Sequence, residues 1–91
     1  MENDSIRTNG EHTVVDLWLQ GRMRAVTIPR ITIEGYLQWG RQHGGAMSED
    51  DRTEFVRTNL KLVVDAALTR LKVDGQAAAA IVIGPGQLRP S

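Results

Sequence analysis

Between residues 12 and 19 apolar and polar positions alternate along the chain. Val15, Leu17 and Leu19 fall on one side, and Val14, Asp16, Trp18 and Gln20 on the other. A period of two is the signature of a strand buried on one face. Gly21 can take a positive φ and breaks the run. A second apolar run covers residues 23–28 and continues to Ile31. A three-residue loop, Gln20-Gly21-Arg22, sets Leu19 against Met23, Leu17 against Ala25 and Val15 against Thr27, which brings apolar residues together. The expectation is a glycine-bulged hairpin with Trp18, Arg22, Arg24 and Val26 on its outer face. Pro29 has no N–H to donate, so this is an edge strand or the pairing ends there.

The period then lengthens. Over residues 48–72, Val56, Leu60, Val63, Ala67 and Leu71 recur at steps of three and four, with Phe55, Leu62, Val64, Ala66 and Leu68 widening the stripe. This predicts one long amphipathic helix, roughly 35 Å at 1.5 Å per residue, lying across a sheet. Both ends are marked. Ser48 is placed to cap the first turn, with Asp51 three residues on. Glu49, Asp50 and Asp51 suit the positive end of the helix dipole, and Arg70 and Lys72 precede the stop at Gly75. Residues 32–43 predict a shorter helix capped by Thr32, carrying Ile33, Tyr36 and Leu37 and weakened by Gly35 and Gly40. Residues 77–83 form a continuous small-apolar run that predicts a buried strand. The order is β-β-α-α-β. This is an α+β domain with a small antiparallel or mixed sheet and helices on one face.

Composition narrows the function classes. Ninety-one residues suffice for one domain, expected over 12–88, with a disordered lead-in over 1–11 and a loose tail over 89–91. Eleven basic and eleven acidic residues balance, so no global field draws the chain to nucleic acid or an anionic membrane. Without cysteine there is no disulfide framework, thiolate nucleophile or cysteine-bound metal, which fits a cytoplasmic location.

The segment Ile31-Thr32-Ile33-Glu34-Gly35-Tyr36-Leu37 has the form valine/isoleucine, serine/threonine, any residue, glutamate, two of any kind, leucine. Phe55, Asn59 and Leu62 follow with the spacing phenylalanine, three of any kind, arginine/asparagine, two of any kind, isoleucine. An alanine should come three residues later, where this chain has Asp65, with Ala66 one place beyond. Ile81-Val82-Ile83 and Leu88 close the pattern. In these features the chain, over residues 14–88, resembles a small bacterial family, domain of unknown function 1488. The resemblance implies a short α+β fold and no activity, because the family carries no assigned chemistry.

No catalytic, cofactor or metal-binding set stands out. His12 and His43 lack partners at ligand spacing. Ser48 has a capping role and no nucleophile elbow. Consecutive carboxylates at 49–51 fan around a helix axis and do not converge. Gly84-Pro85-Gly86 lacks the lysine of a phosphate loop. The remaining candidate is an interaction surface of Trp18, Arg22, Arg24, Arg30, Trp39 and Arg41, with Tyr36 nearby; arginine and aromatic residues together favour contact surfaces. Part of the long-helix stripe, residues 60–68, is a second candidate seam. These features predict a non-enzymatic protein-interaction or accessory module whose partner is another protein or a second copy of itself. The alternative is a nucleic-acid-binding accessory protein using the Arg/Trp face. No cofactor and no membrane partner are expected.

Overall fold

The computed structural model describes residues 6–75 and 79–88. Its centre is a four-stranded mixed sheet in the order β1-β2-β3-β4: β1 (Ile6–Thr8), β2 (His12–Leu19), β3 (Arg22–Pro29) and β4 (Ala80–Val82). The first three strands are antiparallel in succession, and β4 returns parallel to β3. Between β3 and β4 come α1 (Arg30–Leu37), α2 (Trp39–Gln42), α3 (Glu49–Thr58) and α4 (Leu60–Asp74). The α+β class is as the periodicities predicted, with one strand and two helices more than the expected order.

The hairpin forms, in a different register. Gln20 and Gly21 both have positive φ, 51° and 88°. This two-residue turn has the left-handed geometry that matches the twist of paired strands. Leu19 therefore pairs with Arg22 instead of Met23, and the ladder continues through Leu17↔Arg24, Val15↔Val26 and Thr13↔Ile28. A shift of one residue exchanges the faces of a whole strand. Val26 and Ile28 turn inward and are fully buried, while Met23, Ala25 and Thr27 turn outward. The expected outer placement of Arg22, Arg24 and Val26 is thus overturned.

The stretch 48–72 is helical, but as two helices instead of one. Ser48 caps α3 as expected, its hydroxyl accepting the Asp51 N–H at 3.1 Å. The break is at Asn59, with φ −112° and ψ 37°. Its side-chain amide donates to the Phe55 carbonyl at 2.9 Å, the same oxygen its backbone N–H uses. An asparagine that competes for local backbone acceptors ends helices for this reason. Residues 32–43 are also helical but divided, by Gln38 at φ 53°. The first piece starts before Thr32, with Pro29 in the capping position. The Thr32 hydroxyl is instead buried and donates to the Ile83 carbonyl at 2.9 Å, tying α1 to the end of β4.

Residues 6–8, expected within a disordered lead-in, form β1, with Ile6 opposite Val15 and Thr8 opposite Thr13. Residues 1–5 and 89–91 lie outside the described residues, as do 76–78, part of the predicted final strand. Within β4 only alternate positions are buried: Ile81 and the following Ile83 are inside, whereas Val82 is exposed. The core lies between the inner sheet face (Val15, Leu19, Val26, Ile28, Ile81) and the helices (Ile33, Phe55, Val56, Val63, Ala67, Leu71). Leu88 closes one side of it.

Candidate interaction surface

Two sets of polar groups fasten elements of the fold to one another. Thr53 of α3 shares a hydroxyl hydrogen bond of 2.6 Å with Thr8 of β1, and Thr8 in turn lies 3.4 Å from the Thr13 hydroxyl of β2. Glu34 of α1 accepts the Met47 backbone N–H at 2.9 Å and Arg30 at 3.2 Å, which holds the loop before α3 against α1. Each pairing uses a part-buried polar group to lock two elements together, so these residues have structural work.

Two arginines are taken into the interior, each only 1 % exposed. Arg24 lies on the inner face of β3, where its Nε donates to the Leu19 carbonyl at 2.9 Å. Arg52 projects inward from α3, one turn before Val56, and its Nε and Nη1 have no hydrogen-bond partner among the described residues. Buried guanidinium nitrogens without hydrogen bonds are costly.

The expected Arg/Trp cluster is therefore dispersed. Arg24 is removed from it by burial. Arg22 is exposed but belongs to the inner side of β3, at the hairpin tip. Arg30 is engaged by Glu34. Arg41 is exposed on α2, and Trp39 is half-buried, stacked on His43 with ring centres 3.9 Å apart. Tyr36 meets Phe55 edge-on at 5.8 Å. The helix seam is largely consumed as well: Leu60, Leu62, Val64 and Leu68 all pack against the core.

Trp18 remains, with companions that the periodicity did not indicate. It pairs with Met23 across the β2–β3 ladder. Both project from the sheet face opposite the helices and are 68 % and 55 % exposed. Val82 of β4 is on the same face at 54 %, with half-buried Val14, Ala25 and Thr27 between. Large apolar side chains gathered on one exposed face mark contact sites. The flipped register hid Met23 and Val26 from sequence reasoning. Ile81-Val82-Ile83 is uniformly apolar, so the sequence carried no sign that Val82 turns outward.

Among the described residues, the ion pair on this face is Arg7 with Asp16. Arg7 of β1 donates to Asp16 of β2 at 2.8 Å. That hydrogen bond holds the Asp16 carboxyl below the ordinary carboxylate range, against a smaller opposing effect of desolvation, and raises the Arg7 guanidinium above its usual value. Among the described residues no group of three or more histidines and carboxylates could hold a metal ion. Nor is any described helix long and apolar enough to cross a membrane. No protein-family model, curated protein or solved structure matches the chain.

Proposed function

We propose that this protein is a non-enzymatic interaction module that docks through the outer face of its sheet. The observation that carries the reading is the placement of Trp18, Met23 and Val82, exposed and apolar, on a face that none of the described helices covers. Exposed tryptophan and methionine are the residue types that anchor protein interfaces. The nucleic-acid alternative is weakened, because Arg24 is buried and Arg30 is paired with Glu34. We retain membership of the bacterial family named above as part of the proposal. Of the residues that carry the resemblance, Thr32, Phe55, Ala66, Ile81, Ile83 and Leu88 are buried, so much of the shared spacing has a structural reason, whereas Ile31 is exposed.

The test is site-directed photo-cross-linking in the cells that make the protein. A benzoylphenylalanine replacing Met23 on the outer face should yield a discrete cross-linked protein species. The same group replacing Glu54, exposed on α3, should yield none. Equal labelling from both positions, or none from Met23, overturns the reading.

A further inference from the structure

We propose that the outer sheet face is covered by a second copy of this chain, the two sheets packing face to face about a two-fold axis. This rests on the reading of that face as a docking surface and names its occupant.

The register supplies the geometry. The sheet has an even number of strands, so its midline runs between β2 and β3. A two-fold axis along that midline, between two facing sheets, sets β2 of each copy over β3 of the other. It preserves the level of each residue along the strands. Trp18 and Met23 are at one level, directly opposed across the midline. In the pair, each Trp18 therefore lands on the other copy's Met23, and the thioether meets the indole twice. Sulfur–aromatic contact is favourable, and a two-fold interface makes every contact twice. The same operation sets β1 over β4. Arg7 is level with Val14, Val14 with Thr27, and Thr27 with Val82. The aliphatic stem of Arg7 thus lies over the other copy's Val82, while its guanidinium stays turned toward Asp16 of its own copy.

Electrostatics do not oppose this pairing. The chain has equal numbers of basic and acidic residues, so two copies carry no net repulsion. The ionic groups of the described part of the face, Arg7 and Asp16, are already bound to each other within one copy. Covering them leaves no charge unpaired.

The size of the face sets the strength. Two strands of eight residues and two of three, at about 3.3 Å per residue and about 4.8 Å between strands, project roughly 350 Å² of sheet. Even with the relief of the side chains, two such faces lie near the lower limit for specific association, about 1,000 Å² in total. The pair is a concentration-dependent dimer and not a permanent one.

Sedimentation analysis of the full chain from about 10 μM to 1 mM tests the proposal, this range spanning the weak affinities such an area supports. The average mass should climb toward that of two chains. Trp18→Asp and Met23→Asp, each at an exposed position and each verified as folded by circular dichroism, should both hold it at one chain. A wild type that stays monomeric throughout, or an association unaffected by either variant, overturns the proposal. Engineered cysteines test the axis, since the chain has none of its own. An equimolar mixture of Trp18→Cys chains and Met23→Cys chains should oxidise to a mixed dimer faster than either alone forms its own. Equal rates overturn the axis placed here. Photo-cross-links from Met23 that reach only a different protein, with the purified chain monomeric, end the self-pairing and leave the docking reading standing.

Discussion

The two faces of the sheet are built from the same four strands and could hardly differ more in what surrounds them. On the inner face Val15, Val26, Ile28 and Ile81 are sealed beneath α1, α3 and α4. On the outer face Trp18, Met23 and Val82, larger or equally apolar, stand in the open. Hydrophobicity alone does not decide which side becomes core. The turn does: Gln20 and Gly21 close the hairpin in two residues, and that parity sends Val26 in and Met23 out. A folding requirement explains the inner residues completely. It leaves the outer ones without a role in the monomer, which is why function is sought there.

The comparison breaks most visibly in truncations. Ile28→Ala on the inner face should cost roughly 2–5 kcal/mol, by lost burial and the cavity left behind. Trp18→Ala on the outer face should stay within about 0.5 kcal/mol at concentrations too low for association. Urea denaturation of both variants checks this, and equal losses would mean that the outer face is packed in the monomer.

Arg52 is the exception on the inner side, and replacing it sharpens the contrast. Arg52→Met should raise stability by about 1–4 kcal/mol, because a flexible apolar side chain fills the same space without two unsatisfied guanidinium nitrogens. A thermal melt that moved downward would show that the guanidinium is paired. The turn itself comes next. Gln20 occupies a left-handed conformation that costs a residue with a Cβ about 1 kcal/mol and that asparagine tolerates better. Gln20→Asn should therefore raise the melting temperature slightly and preserve the register, read from cross-strand nuclear Overhauser contacts between Trp18 and Met23.

The smallest effect is that of the surface ion pair. The Asp16 carboxyl is held low by Arg7, so its contribution is present above its unfolded value of about 3.9 and disappears as pH falls through the lower folded value. Asp16→Asn should lower stability at neutral pH by a small amount and flatten the acid limb below about pH 4 by that same amount, so that the two proteins converge in acid.

Which of these features could be read from the chain follows from how local their causes are. The Ser48 cap, the helical stripe and the existence of both hairpin strands depend on neighbours a few residues away, and all were legible. The register depended on one residue, Gln20, entering a conformation normally left to glycine or asparagine. The break at Asn59 depended on a side chain choosing the Phe55 carbonyl over solvent. β1 has only Ile6, Arg7 and Thr8, too few to show a period, and gains its place through β2 and Thr53. Trp18 was legible as a surface residue because polar Asp16 and Gln20 flank it on its strand face. Its companions were not, since they reach it only through the ladder and through the return of β4.

That return has a kinetic consequence. Val26 and Ile81 are partners in the parallel ladder, yet four helices separate them, so their meeting closes a long loop and should come late in folding. The β1–β2–β3 meander can assemble from its own short turns well before. Until β4 arrives, the free side of β3 presents unsatisfied N–H and C=O groups in a row, a template for any extended chain nearby. A nascent or partly unfolded molecule therefore passes through a stage at which its β3 could accept the β4 of a neighbour in place of its own. Conditions that slow the docking of α4 should favour domain-swapped assemblies over simple unfolding.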